Sequence, residues 1–196
     1  MGGAVPIWAA DEAQAPSLPG VVAPHCPEET QQGRNRCTGL WLRTAEYHEA
    51  LVYDDLKQTL DLSDRVQLAI AEEHWRAFRD LQCEAESTPF NGGSIYSQIH
   101  GTCMAQAAND RTGDLQQWGN PEISQQAAET RLQALLTQMK LTDSPAQKQW
   151  EAYRNLHCDF EANYRDDVPT QYQQCVSRLT QTRIARLEAW AAQRNP

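Results

Sequence analysis

The chain has 196 residues, which is enough for one or two small domains with a hydrophobic core. Its net charge is −9, its sequence pI is about 5.0, and its lysines and arginines form no cluster. This acidity argues against nucleic acid or an anionic membrane as a partner and favours a basic protein partner. No stretch of the sequence is apolar enough to predict a membrane span.

Residues 1–24 are predicted to be a flexible leader or tether. The segment has no basic N-terminal region and no long apolar core, so it does not read as an intact secretory signal peptide. Small residues before Asp11 nevertheless resemble the tail of one, as a truncated or re-engineered leader would. The Ala- and Pro-rich part from 11 to 24 is typical of a flexible tether.

The first predicted helix runs from about residue 35 to residue 60. The apolar residues that recur there at roughly helical spacing are Leu40, Tyr47, Leu51 and Leu56. Charged residues lie between them, so the pattern predicts an amphipathic helix with these four residues as its apolar stripe.

Two more helices are predicted before the middle of the chain. Asp64, with Gln67 three residues further on, is the expected N-cap of the second helix, which should end near Cys83. The run 91–94 contains two glycines and predicts a loop, because glycine costs about 1 kcal/mol in a helix relative to alanine. The third helix is expected from about 99 to 118.

The second half of the sequence predicts three further helices. The fourth lies around residues 132–139. Ser144 forms a capping box and starts the fifth helix, which should span 144–160. The run 166–169 breaks that helix, and the sixth then continues to about residue 190. Because no alternating strand pattern of useful length occurs, the predicted fold is all-α.

One pattern occurs twice in the chain. Trp75, Phe78, Arg79 and Cys83 recur at the same spacing as Trp150, Tyr153, Arg154 and Cys158. Further on, Cys103, Arg111, Leu115 and Trp118 recur as Cys175, Arg183, Leu187 and Trp190. This agreement indicates a duplicated unit. We therefore predict two tandem, disulfide-pinned repeats of about three helices each, at 25–118 and 119–196, with the seam at 119–121.

The duplication also predicts how the six cysteines pair. None of them has the spacing of a zinc site, so disulfides in an oxidising compartment, periplasmic or secreted, are favoured. The second repeat contains only Cys158 and Cys175, which must pair if pairing stays within the repeat. By analogy Cys83 pairs with Cys103. The remaining pair is Cys26 and Cys37.

A set of motifs in the first repeat carries a resemblance to a known family. The motifs are the run from Trp75 to Cys83, Gly92-Gly93-Ser94, Cys103 with Arg111 and Leu115, and the opening Cys26, Gln31, Asn35 and Cys37. They resemble the LprI-type lysozyme-inhibitor family over about residues 26–118. A degenerate second copy covers about 123–190 and lacks the paired N-terminal cysteines and the Gly-Gly-Ser loop. The resemblance implies a small helical domain of the bacterial envelope and the inhibition of lysozyme.

Residues that occur in both repeats are predicted to serve the fold rather than a binding site. They are Trp75, Arg79, Arg111, Trp118, Trp150, Arg154, Arg183 and Trp190. We expect the aromatic rings to pack in the core. The arginine stems should pack beside them while the guanidinium groups meet carboxylates or helix carbonyls.

The candidate partner-binding residues are different, because they occur only once. They are Asn91, Gly92, Gly93 and Ser94. A polar, protruding loop of this kind can enter an enzyme cleft; alternatively, the two glycines only permit a tight turn. The acidic residues Asp54, Asp55, Glu72, Glu73 and Asp80 could face a basic target, or could form an ordinary solvated surface.

No metal site, cofactor motif or catalytic residue is predicted, so the chain is not expected to be an enzyme. We expect a secreted or periplasmic lysozyme-inhibitor-like binding protein that blocks the cleft of a basic partner, lysozyme or a related muramidase. The alternative is an envelope protein–protein interaction module that binds no lysozyme.

Overall fold

The computed structural model describes residues 20–27, 29–116, 124–164 and 168–194, and it is built from six α-helices. They are α1 (Gln31–Thr59), α2 (Leu62–Ser87), α3 (Tyr96–Leu115), α4 (Gln125–Met139), α5 (Pro145–Tyr164) and α6 (Val168–Arg194). A short 3-10 helix, Thr88–Phe90, follows α2. The described part of the chain contains no β-strand, and the all-α prediction is confirmed. The predicted leader up to residue 19, Trp118 and the seam at 119–121 lie outside the described residues.

Polar side chains cap the starts of α1, α2, α4 and α5. The Thr30 hydroxyl accepts a hydrogen bond from the Gly33 amide at the start of α1. At α5 the Ser144 hydroxyl accepts from the Gln147 amide at 3.2 Å, as the capping box predicts. The predicted N-cap of α2 is wrong by one turn: the Asp61 carboxylate accepts from the Asp64 amide at 2.9 Å. Asp64 lies instead in the first turn, where its negative charge interacts favourably with the helix dipole and stabilises the helix.

Three of the four residues of the predicted apolar stripe of α1 are exposed, while the fourth, Leu56, packs against a buried cluster. Leu40 is 55 % exposed and Tyr47 is 67 % exposed. The buried face contains Trp41 and Ala45 instead, which form a cluster with small residues of α3. A Cβ atom added to Gly101 would lie 3.0 Å from the Thr38 methyl group, so α1 and α3 approach each other closely. Small side chains, rather than the large apolar ones, therefore decide which face of α1 is buried.

The three predicted disulfides are confirmed. Cys26 pairs with Cys37, Cys83 with Cys103, and Cys158 with Cys175. In each repeat the equivalent bridge joins the second helix to the third close to the loop between them. The bridge from Cys26 fixes the segment before α1 to the second turn of that helix.

The two repeats are arranged alike, and one buried cluster contains residues of both. In the first, α1 packs on α3; in the second, α4 packs on α6. The equivalent helices α2 and α5 pack against each other. As a result Trp75 lies in the same buried cluster as Leu132, Trp150 and Leu179 of the second repeat. None of the helices in the described ranges combines the length and the hydropathy that a bilayer-spanning helix needs.

Candidate functional site

The loop that connects α2 to α3 contains a type II β-turn. Asn91 has φ −53° and ψ 134°, and Gly92 has φ +78°. The Gly93 amide donates to the Phe90 carbonyl at 2.9 Å and closes the turn. A type II turn needs a positive φ at its third residue, which glycine adopts without strain. The interpretation that glycine permits a tight turn therefore holds for Gly92.

The same loop is exposed and fixed in place. All four residues from Asn91 to Ser94 are exposed, and a Cβ atom on Gly92 would meet open space. The Asn35 side-chain amide donates to the Ser94 carbonyl at 3.1 Å. The Tyr96 hydroxyl donates to Glu84 at 3.0 Å, and the Cys83–Cys103 bridge joins the two helices beside the loop. These contacts tie the loop to α1 and join the ends of α2 and α3 on either side of it.

The repeated residues meet where α2 packs on α5. Arg111 lies over the ring of its own repeat's Trp75 at 5.8 Å and over Tyr153 of the other repeat at 5.2 Å. Arg183 lies over its own Trp150 at 5.9 Å and over Phe78 of the other repeat at 4.9 Å. Phe78 and Tyr153 are equivalent positions. We call Arg111 and Arg183, each with its two rings, the two arginine centres. They are related by a pseudo-two-fold arrangement, in which each arginine contacts one ring of its own repeat and one ring of the other.

The two centres differ in polar partners. Arg111 Nε donates to Glu72 at 3.0 Å, and its Nη1 donates to the Tyr153 hydroxyl at 3.0 Å. The Tyr153 hydroxyl in turn donates to Asp114 at 2.5 Å. Burial alone would lower the pKa of Arg111, but Tyr153, Glu72 and Asp114 together raise it above its usual range. Because the charge of Arg111 is buried and paired, removal of one of its carboxylate partners would leave an uncompensated charge in the core.

The interpretation of Glu72 as part of an acidic surface is wrong, because Glu72 is 4 % exposed and bonded to Arg111. The other members of that acidic set, Asp54, Asp55, Glu73 and Asp80, are exposed. They leave an acidic outer surface on α1 and α2, while Glu72 belongs to the interior.

The remaining repeated residues lie around the same interface. Arg79 lies 5.1 Å from the centre of the Trp75 ring and pairs with Asp80 at 2.8 Å. Arg154 lies 4.8 Å from the Trp150 ring and pairs with Glu129 at 2.5 Å. The repeated tryptophans that the structure describes, Trp75, Trp150 and Trp190, are all buried. None of these residues contacts the loop at 91–94, so the two sets of predicted residues stay separate.

A buried polar group beside Arg111 was not foreseen from the sequence. Arg178 Nη2 pairs with Glu161 at 2.7 Å, and His157 lies 3.7 Å from the same carboxylate. Burial, helped by the nearby Arg111 and Arg178, lowers the pKa of His157 well below its usual value. His157, Glu161 and Cys175 also have the spacing of metal ligands. Since the Cys175 sulfur is held in a disulfide, it offers no thiolate to an ion.

These features define a class: small, disulfide-bonded, all-helical proteins made of two copies of one unit, with an ordered polar loop in the first copy. The chain belongs to the LprI family, since it matches the family described as Lysozyme inhibitor LprI over residues 25–115 and 122–187. The two matched segments correspond to the two repeats, so the resemblance and its second copy are confirmed. No curated protein and no solved structure matches this chain.

Proposed function

We propose that this protein inhibits lysozyme or a related muramidase by placing the loop Asn91–Ser94 in the substrate cleft of the enzyme. Membership of a family described as lysozyme inhibitors supports the activity. The observation that carries the choice of site is the exposed type II turn centred on Asn91 and Gly92.

The geometry of the loop suits this task. A loop that is already fixed by the Asn35 bond and the adjacent bridge loses little conformational entropy when it binds. Phe90 and Ile95, on either side of the turn, are 39 % and 37 % exposed and offer apolar contacts at the base of the loop. The net charge of −9 would steer the protein toward a basic enzyme.

The three disulfides and the family support an extracytoplasmic location, periplasmic or secreted. Muramidases attack the cell wall in the same compartment. The proposed inhibitor and its target would therefore meet there.

The test is a pair of substitutions that add the same charge at two exposed loops. Asn91→Lys places a positive charge on the turn without changing either glycine, and Thr142→Lys does so between α4 and α5. We expect Asn91→Lys to raise the inhibition constant against a basic lysozyme at least tenfold, which is about 1.4 kcal/mol. Thr142→Lys should leave it nearly unchanged. Melting temperature and helical content should stay at wild-type values in both.

Equal effects of the two substitutions would show that only net charge matters and would contradict the proposed loop site. Failure of the wild-type protein to inhibit any lysozyme of a panel at micromolar concentration and physiological salt would contradict the proposed activity itself.

A second candidate function, an envelope interaction module without lysozyme binding, is favoured by one observation. The outer face of α2 carries Leu62, Val66 and Ile70 at successive turns, and they are 78 %, 53 % and 42 % exposed. Exposed apolar residues in a row are typical of a docking surface. This candidate predicts that Val66→Lys abolishes partner binding while Asn91→Lys has no effect, the reverse of the result expected for the loop.

A further inference from the structure

A cavity of about 40 Å³ lies between α2, α3, α5 and α6, and Arg183 is part of its wall. Arg183 is 2 % exposed. Its guanidinium group lies between the rings of Phe78 and Trp150, and the Cys83–Cys103 bridge forms another part of the wall. A charged group thus faces a small, mostly apolar space inside the protein.

The duplication shows what is missing around Arg183. Its equivalent, Arg111, is surrounded by oxygen groups of Glu72, Asp114 and Tyr153. Glu72 and Gln147 both precede the repeated tryptophan by three residues, and Asp114 and Arg186 both follow the repeated cysteine by eleven. The equivalent positions around Arg183 are occupied by Gln147, Arg186 and Phe78. None of these three side chains carries a negative charge.

The contacts of Arg183 agree with this comparison. Its Nε and Nη2 atoms both donate to the side-chain oxygen of Gln147, at 3.3 Å each, and Gln147 itself donates to Glu151. Among the described residues, no carboxylate lies within salt-bridge distance of the guanidinium, whereas the neighbouring Arg186 has Asp110 at 3.4 Å. The contact with Gln147 supplies an acceptor but no counter-charge.

Arg183 nevertheless stays charged. Burial, with a smaller effect of Arg186, lowers its pKa to about 9, and Glu86 acts in the opposite direction. At neutral pH the guanidinium therefore keeps its proton. An isolated buried charge is costly, by several kcal/mol in real proteins, unless an opposite charge approaches it.

The other charged groups of the cavity wall already have partners. Arg79 pairs with Asp80 at 2.8 Å. Arg186 lies 3.4 Å from Asp110. Asp114 accepts a hydrogen bond from the Tyr153 hydroxyl, and burial raises the pKa of the Asp114 carboxyl. Among the arginines of the cavity wall, Arg183 is therefore the one without a described carboxylate at salt-bridge distance.

We propose that this cavity binds one small monovalent anion, a halide or a carboxylate of the size of formate, against the guanidinium group of Arg183. A single water needs about 10–15 Å³ of such space, so a cavity of about 40 Å³ holds a few waters or one small anion. The anion supplies the negative charge that Glu72 supplies beside Arg111, since the position equivalent to Glu72 is held by the neutral Gln147. An anion as large as gluconate does not fit.

The first test measures the melting temperature of the wild-type protein at pH 7 in sodium chloride, in sodium formate and in sodium gluconate, at equal ionic strength. A ligand of the folded state stabilises it in proportion to the logarithm of its concentration. Above its dissociation constant, chloride or formate should raise the melting temperature by about 3–5 °C for each tenfold increase in concentration. Gluconate should have no comparable effect. The chloride and formate series show separately which small anion the cavity accepts.

Two matched substitutions locate the effect. Gln147→Glu places a carboxylate beside Arg183, as Glu72 lies beside Arg111, and should remove the dependence on chloride and formate. Glu72→Gln makes the opposite change in the other repeat and should keep the wild-type dependence, because Arg183 is untouched. A dependence that persists in Gln147→Glu, or a wild-type protein that responds alike to all three anions, would overturn the proposal.

A direct measurement covers the case in which a variant does not fold. Wild-type crystals soaked in sodium bromide should show an anomalous peak at hydrogen-bond distance from Arg183. A map without that peak would overturn the site even if the melting temperature depends on salt. None of these measurements uses an enzyme target, so they are independent of the proposed lysozyme inhibition.

Discussion

The guanidinium group of Arg111, in the first repeat, lies 5.2 Å from the centre of the Tyr153 ring in the second. Arg183 makes the reciprocal contact with Phe78 at 4.9 Å. Both contacts cross the boundary between the repeats, and both arginines are buried. Each repeat therefore contributes to the core at the boundary, and the largest buried cluster of the second repeat includes Trp75 of the first.

The isolated first repeat, residues 25–118, should consequently not fold as a monomer. Without α5, the Trp75 side of α2 would lose the cluster that buries it. We expect helical signal in the far-UV circular dichroism, weak near-UV signal and dye binding to exposed apolar surface. Under conditions where the fragment does fold, sedimentation should show that it has self-associated. A monomeric fragment that unfolds in one cooperative transition would contradict this prediction.

Truncation of either repeated tryptophan should destabilise the whole protein. Trp75 and Trp150 are 2 % and 3 % exposed, so Trp75→Ala and Trp150→Ala should each reduce the free energy of unfolding by about 3–5 kcal/mol. Urea denaturation followed by circular dichroism measures this. The control is Tyr47→Ala on the exposed face of α1, which should cost less than about 0.5 kcal/mol. Comparable losses at Tyr47 and Trp75 would show that the burial described here is wrong.

The stability of the protein should respond to pH through Glu49. This carboxyl is buried on α1, and its Oε1 atom has no hydrogen-bond partner among the described residues. Burial together with the nearby Glu72 raises its pKa from 4.5 to about 7. Arg111, Arg76 and Arg79 act against the shift. Between pH 4.5 and 7 the folded protein holds a proton that the unfolded chain releases, so this group makes stability fall as pH rises through that window.

Glu49→Gln should remove this effect. The variant should gain about 3 kcal/mol in the free energy of unfolding at pH 8 and nothing at pH 4, where Glu49 is protonated in both states. Glu73→Gln, at an exposed position on α2, is the matched control and should leave the pH profile unchanged. A gain of equal size at both pH values would show that lost packing or a new hydrogen bond, not titration, is responsible.

The disulfides should differ in their contribution. Replacing Cys158 and Cys175 with alanine opens a loop of 17 residues and should cost about 3 kcal/mol from chain entropy, with a further loss because both sulfurs lie in the core. The pair Cys26 and Cys37 closes a shorter loop and is half-buried, so its removal should cost less. Thermal melts of the two double variants give the comparison. The reverse order would contradict the placement of Cys158 and Cys175 in the core.

The helices, their loops and the cysteine pairing could be predicted because their signals are local or repeated. Ser144 and the glycines of the 91–94 loop act within a few residues of themselves. The pairing followed from the presence of two cysteines in the second repeat. Which side of a helix is buried depends instead on the partner helix. On α1 two stripes satisfy the helical period, and the one with Ala45 is buried because α3 comes close there.

The polar interior could be predicted only in part for the same reason. The sequence shows arginines in both repeats. It does not show that Glu72 on α2 is buried and pairs with Arg111 on α3. A carboxylate on a helix most often faces water, so the sequence alone favours a solvated Glu72, which is wrong. The difference in charge between Glu72 and Gln147, at equivalent positions of the two repeats, is visible in the sequence. Its meaning required the contacts of Arg183.

The packing of α2 on α5 also bears on how such a chain arises. Two equivalent helices in contact, with equivalent rings and arginines exchanged across the boundary, have the self-complementary form of a two-fold symmetric interface between identical subunits. A protein with a single copy of this unit would expose the same aromatic face and would bury it against a second molecule of itself. Duplication and fusion of its gene would turn that homodimer into one chain. Each half could then change independently of the other. Glu72 in the first repeat and Gln147 at the equivalent position of the second illustrate this.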